Sequence, residues 1–371
     1  MRNGYLMMVV LISALGLSSI FYMGENPLTK KDSVNVKANY ELVGDGITDD
    51  TLAIQKAIYD TPAGETLQLP PGNYKLSRNP NLVAVTGYGD SYFALEITKQ
   101  ITIEMEGVTF LVESDKEHGV FWVYDTEEVH LNGGSIIGDE FPESEGLTSN
   151  IAILFQDTLN SSVEDMYLKN HSQGVHLHHS DYNVVRNVTT EYNYGSGIIS
   201  FASNHNLIES CTVRNSSDGH LSLYGNGSNN HVKNCEVIET RSEYAYEQGI
   251  TIESEFDSLV EGNTVSGFYF GIDVKNDSDS NIIRENKVFN NKYNIAVRPG
   301  DGGVDLKTES HNIQIVDNTV IDPRADSIYG IYVGIGEGHI VTGNTLNQGH
   351  LIITDKVLRD RYINRNTYVE E

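Results

Sequence analysis

Seven short phrases decide the fold: GVHLH (174–178), GIISF (197–201), HLSLY (220–224), GITIE (249–253), GIDVK (271–275), NIAVR (294–298) and GIYVG (330–334). Apolar residues alternate within each with a period of two, and the phrases begin 23, 23, 29, 22, 23 and 36 residues apart. A helical repeat would space its apolar positions by about 3.6 residues, so these are strands, and strands this short bury no face alone. Stacked one per coil, ~4.8 Å apart along an axis, they enclose one continuous core. The fold class this predicts is all-β, a right-handed parallel β-helix, with insertions in the two long steps.

A second phrase marks the far side of the coil: GNTV (262–265), ENKV (285–288), DNTV (317–320) and GNTL (343–346). It places Asn263, Asn286, Asn318, Asn344 and Asn366 in one turn column, where each side-chain amide is expected to bond a neighbouring coil's backbone. Cys211 and Cys235 fall in the same column in the two coils before the Asn run begins and read as buried free thiols. These columns belong to the fold and not to chemistry.

Composition narrows the function. The 371 residues hold 25 Lys and Arg against 52 Asp and Glu, a formal charge of −27, and are 39% hydrophobic. Such a charge repels phosphate backbones and excludes nucleic acid as a partner, while the apolar fraction suffices for an extensive core. Two cysteines exclude a disulfide scaffold and a Cys-rich zinc protein. Residues 1–25 carry one Arg ahead of an apolar run from Tyr5 to Tyr22, the layout of a signal peptide or a membrane anchor, so export is expected. No other run is long and apolar enough to span a bilayer, which leaves 35–371 as a single domain, secreted or held outside the cell. Its oligomeric state, monomer or trimer, stays open.

Ahead of the repeats, GDGITDDTLAIQKAI (44–58) and LPPGNYKLS (69–77) read as turn, helix and strand, an N-terminal cap over 35–80. Thr48, Asp49 and Asp50 can cap the helix, Leu52, Ile54 and Ile58 supply its apolar face, and Pro62 to Gly64 end it. These two phrases resemble the opening of pectate lyase superfamily proteins, the rhamnogalacturonase, polygalacturonase and epimerase-like group. The resemblance implies an exported, carbohydrate-active β-helix with its groove on the stacked strands and a polysaccharide as partner. It does not fix the reaction, because the Asn-Thr-Asp, Gly-His-Gly and Arg-Ile-Lys motifs of polygalacturonases are absent. The Asp-Pro-His of alginate epimerases is matched only at Asp273.

With the apolar members of each phrase turned inward, two outward columns remain. One reads His176, Ile199, Ser222, Thr251, Asp273, Ala296, Tyr332, and the other His178, Phe201, Tyr224, Glu253, Lys275, Arg298, Gly334. Glu253 and Asp273 are diagonal neighbours with stems roughly 8 Å apart, the spacing of the acid and base of an inverting glycosidase. The same surface offers a lyase, with Arg298 or Lys275 neutralising a uronate carboxylate and His178 and Tyr224 moving protons. Epimerisation at C5 uses the same groups. His176, Phe201, Tyr244, Tyr246 and Tyr332 are expected to contact sugar. No metal is assigned; Asp301 and Asp305 in a Gly-rich loop mark where calcium would bind if one is required. The alternative from another class is a non-catalytic adhesin or spike-like carbohydrate-binding protein.

Overall fold

The structure is a computed structural model that describes residues 39–83, 85, 91–112, 118–139, 150–241, 248–300, 309–321, 329–347, 349–354 and 356–369. The N-terminal segment 1–25, Tyr244, Tyr246, Asp301 and Asp305 lie outside them. Among the described residues no helix is long and apolar enough to cross a membrane.

Among the described residues, three parallel sheets of 13, 11 and 11 strands stack coil upon coil. Each coil contributes one strand to each sheet: Gln173–His178, Val184–Arg186 and Thr189–Glu191 form one coil, and the next begins at Ile198–Phe201. The seven phrases all fall in one 11-stranded sheet, here the groove sheet. Its register follows the phrases residue for residue: His178 pairs with Phe201, Phe201 with Tyr224, Tyr224 with Glu253 and Glu253 with Lys275. A slip of one residue would turn Val175, Leu177, Ile250 and Ile252 out of the core, where all four are fully buried.

The groove sheet also extends beyond the repeats. Three strands precede them, Tyr92–Ile97 and the longer His118–Glu127 and Ile151–Leu159, and Leu351–Ile353 follows. The early strands have no Gly in register with the one that leads the repeats, Gly119 of GVFWV standing one residue ahead of it, and so break the pattern.

Turn columns are satisfied from coil to coil. Oδ1 of Asn263, Asn286, Asn318, Asn344 and Asn366 each accepts the backbone N–H one coil before, at 2.8–3.0 Å. The cysteines sit in that column as expected: the N–H of Cys211 reaches Cys235 Sγ at 3.4 Å, and both are buried free thiols. A second ladder, hidden in the sequence by its mixed composition, runs through Asn183, Asn206, Asn230, Ser258 and Asn281 at the opposite corner.

The cap differs from its prediction in two respects. Helix α1 spans Thr51–Asp60, but Asp50 turns its carboxylate back onto the N–H groups of Val43 and Gly44. Asp49 instead bonds the N–H of Thr51 at 3.0 Å. Leu52, expected on the apolar face, is 52% exposed; the buried face is Ile54, Ala57 and Ile58, which join the core. Gln55 fixes the helix by bonding both backbone groups of Glu96.

Candidate functional site

The outer surface of the groove sheet is where sequence and structure part. Both outward columns were expected to face solvent, but the first is buried: His176, Ile199, Ser222, Thr251, Asp273 and Ala296 all lie beneath the surface. Tyr332 is its half-exposed member at the C-terminal end. His176 is therefore not an open sugar contact. Its Nδ1 meets Gln173 Oε1 at 2.6 Å, and burial drives its pKa down to about 3, so the ring is neutral. The second column forms the accessible strip, through His178, Phe201, Tyr224, Glu253 and Arg298.

Where that strip borders the buried column, four charged side chains converge. Arg298 donates from Nε and Nη2 to the two oxygens of Asp273, both at 2.7 Å, and its guanidinium lies 4.2 Å from the centre of the Phe270 ring. Such a fork uses the geometry that guanidinium and carboxylate share. Lys275 Nζ stands 3.9 Å from Asp273 and 3.5 Å from Glu253, joining the pairs into one compensated quartet. Asn276 Nδ2 also donates to Glu253. Asp273 and Lys275 are buried, whereas the Glu253 side chain keeps 29% of its surface. Tyr224 is the in-register neighbour of Glu253 one coil before. Burial first, and the nearby charges of Glu253 and Asp218 second, raise the pKa of its phenol, which therefore stays protonated.

This arrangement separates roles that spacing alone left equivalent. Asp273 has both carboxylate oxygens engaged by Arg298, so it is not presented as a second open acid beside Glu253. His178 does not meet Tyr224 either. Phe201 stands between them, stacked on His178 at 4.9 Å and edge-on to Tyr224 at 4.6 Å. Burial, and then the charge of His179, lower the pKa of His178 to about 4. Tyr332 belongs to another group, an aromatic file of Phe270, Tyr293 and Tyr329 that ascends the start of each strand, with ring centres 5.0 and 4.4 Å apart. Residues missed in the sequence are thus Phe270, Tyr293, Tyr329 and Asn276. The first three had a readable signal, since each stands one residue ahead of GIDVK, NIAVR or GIYVG in a third column of the same repeat.

Among the described residues no group of three or more His, Cys, Asp or Glu is disposed to hold a metal ion.

Comparison with known proteins agrees with this architecture. The family described as "Right handed beta helix region" matches residues 146–320 and 245–357, together more than half of the chain. The chain belongs to the right-handed parallel β-helix proteins of the pectate lyase superfamily. The opening of this β-helix protein, residues 33–119, matches the family "Rhamnogalacturonase A/epimerase, pectate lyase-like". Similar solved structures include a mannuronan C-5 epimerase A-module of Azotobacter vinelandii, with 14% identity, a TM-score of 0.64, and coverage of 84% of this chain and 86% of that one. PfbA, a surface adhesin of Streptococcus pneumoniae, has 16% identity and a TM-score of 0.60, covering 84% of each chain. The tailspike of E. coli bacteriophage HK620, solved with a pentasaccharide, has 14% identity and a TM-score of 0.69, covering 84% of this chain and 60% of the tailspike. No curated protein sequence matches this β-helix protein significantly.

Proposed function

We propose that this β-helix protein is exported and binds an extended polysaccharide along the accessible strip of the groove sheet, and that it cleaves that polymer at Tyr224 and Glu253. The observation that carries the reading is the in-register pairing of a protonated phenol with a half-exposed carboxylate, backed by Lys275 and the Asp273–Arg298 fork. The strip rises ~4.8 Å per coil, a spacing that suits repeated contacts with a linear chain. An epimerase acting on mannuronan and a tailspike holding a pentasaccharide share the architecture, which supports a glycan as the ligand.

Between the two cleavage chemistries, the geometry favours elimination from a uronic acid. Inverting hydrolysis needs two open carboxylates, and Asp273 is already engaged. Elimination needs one base for the C5 proton, one acid for the leaving oxygen and a nearby cation. Glu253 serves as base, Tyr224 as acid and Lys275 as the cation. The balance is simple: the C5–H pair becomes the C4–C5 double bond, the C4–O bond breaks, the proton from C5 goes to Glu253 and the leaving oxygen takes the proton of Tyr224. A second reading, glycan binding without turnover, draws on the closed charge balance of the quartet and on the adhesin architecture.

Incubation with neutral and acidic polysaccharides, following reducing ends and the ultraviolet absorbance of unsaturated uronates together, tests both readings. Elimination gives the two signals in step, both lost in Glu253→Gln and Tyr224→Phe. Reducing ends without absorbance would replace elimination with hydrolysis. A polymer that binds and yields neither signal would establish the binding protein.

A further inference from the structure

The second 11-stranded sheet, whose strands include Ser162–Glu164 and Val184–Arg186, presents a face that the groove does not use. The middle residue of each strand, from Val163 through Val232 to Ile283, is fully buried, so the first and third face outward. Stacked in register, the third positions read Glu164, Arg186, Glu209, Lys233, Glu261 and Arg284, an unbroken alternation of sign over six coils. The cations are paired within the chain: Arg186 lies between Glu164 at 2.9 Å and Glu209 at 3.2 Å, Lys233 stands 3.8 Å from Glu209, and Arg284 bonds Glu261 at 2.7 Å. All three nevertheless keep much of their side-chain surface, 42%, 38% and 44%, and so remain open to a further partner. Three acids and three bases leave this column neutral on a chain whose formal charge is −27, which lowers the repulsion that two copies meet when they approach on this side.

The column beside it is largely apolar. It runs Val184, Leu207, His231, Leu259 and Ile282, all half-buried, with His231 bonding Glu261 at 3.0 Å. Together the two columns restrict how a second copy can lie on the first. A two-fold axis parallel to the coil axis sets the apolar column against the charged one. A two-fold axis along the strands sets apolar on apolar and reverses the order of the coils. The alternation then decides the register, since an axis passing between two coils brings unlike charges together and an axis passing through a coil brings like charges together. With the axis at the middle of the block, between the coils of Glu209 and Lys233, Glu209 meets Lys233, Arg186 meets Glu261 and Glu164 meets Arg284 of the second copy, each pair twice. The same axis lays Val184 on Leu259 of the second copy.

We infer that this face binds a second copy of this chain, antiparallel, about that two-fold axis. Six coils of three-residue strands offer roughly 25 Å by 10 Å of contact, at the small end of specific interfaces, so the dimer is weak, reversible and salt-sensitive. Apolar contact supplies the attraction and the charged column selects the register. The face lies on a different sheet from the accessible strip, so both strips stay open in the dimer and run in opposite directions. The inference does not depend on what the strip binds.

Sedimentation velocity of the full chain at low salt, from about 10 to 500 μM, tests this. A monomer–dimer equilibrium that shifts toward monomer in about 1 M salt is the expected result. Glu209→Lys sets two cations face to face across the axis and Lys233→Glu sets two acids, so each variant alone should dimerise at least about tenfold more weakly. An equimolar mixture of the two should regain the parent's association, because each variant carries the charge that the other requires. A chain that stays monomeric throughout, or that associates equally in both variants, would overturn the inference. Weakening that the mixture fails to restore would overturn the antiparallel register on which it stands. Circular-dichroism melting shows whether each variant is folded; should either fail, Glu164→Lys and Arg284→Glu repeat the same test at the outermost pair.

Discussion

Glu255 offers the sharpest physical test of the structure. It follows the groove strand Gln248–Glu253 by two residues, points into the turn, and is fully buried. Its Oε1 accepts from Ser258 Oγ at 2.6 Å and Asn230 Nδ2 at 2.7 Å, while Oε2 has no hydrogen-bond partner. Two coils earlier and one coil later the same position holds Ser203 and Ser278, whose hydroxyls accept the N–H groups of Ser180 and Glu255. Room for a longer side chain comes from Gly227, where a Cβ would meet Oε2 at 2.6 Å. Desolvation outweighs the two hydrogen bonds and raises the pKa from 4.5 to about 7. Because the folded protein holds this proton more tightly than the unfolded chain, the stability linked to it is fully present below about pH 4.5 and is lost as pH rises through about 7. Above that range the charge costs on the order of 3 kcal/mol. Glu255→Gln keeps an acceptor for Ser258 and Asn230 and removes the ionisation. It should match the parent near pH 4.5 and exceed it near pH 8.5, by about 4 °C in Tm for a body of this size. Calorimetric melting of both proteins from pH 4.5 to 8.5 provides the check. A Tm difference that stays constant across the range would refute a buried ionising carboxyl here.

Three further outcomes follow from other parts of the coil. Cys235→Asn should extend the amide ladder by one rung, replacing a 3.4 Å N–H···S contact to Cys211 with an N–H···O bond, and stabilise by about 1 kcal/mol in chemical denaturation; a loss of stability would show that the two sulfur atoms pack better than the rung. Gly267→Ala should destabilise by more than about 2 kcal/mol, since φ is +101° and the new Cβ would stand 2.1 Å from the carbonyl oxygen of Glu239; near-wild-type melting would contradict the close approach. Arg186→Met removes a guanidinium placed between Glu164 at 2.9 Å and Glu209 at 3.2 Å, yet its half-exposed setting limits the loss to below about 1 kcal/mol. That loss should vanish in high salt, and a salt-independent effect would point to packing.

The register of the groove sheet was legible because the inward alternation leaves one solution. Once Val175, Ile198, Leu221, Ile250 and Ile272 point to the core, His178, Phe201, Tyr224, Glu253 and Lys275 have to stack. Burial of the first column was not legible, because it depends on larger neighbours that close over it, as Gln173 and the Phe201 ring do at His176. Nor was the pairing of Asp273 with Arg298, since a column position fixes where a side chain starts and not whom it reaches. Spacing offered Glu253 and Asp273 as equals. The guanidinium between Phe270 and Asp273 makes them unequal. Leu52 misled for a related reason: an apolar residue at helical spacing can still lie at the margin of the buried face, and here Ala57 takes the inner position.

The coil-to-coil ladders also give the molecule a mechanical character. Nearly every backbone bond of the three sheets, and every rung at both corners, joins a residue to one about 22 to 35 positions away along the axis. Tension applied between the two ends of the coil therefore loads one interface at a time, like a zip fastener, and not all interfaces together in shear. Each release frees a single turn of about 23 residues, roughly 75 Å of slack chain. Under a pulling force the protein should lengthen in steps of about that size, longer where a coil carries an insertion as in the 29- and 36-residue repeats, while the remaining coils keep their shape.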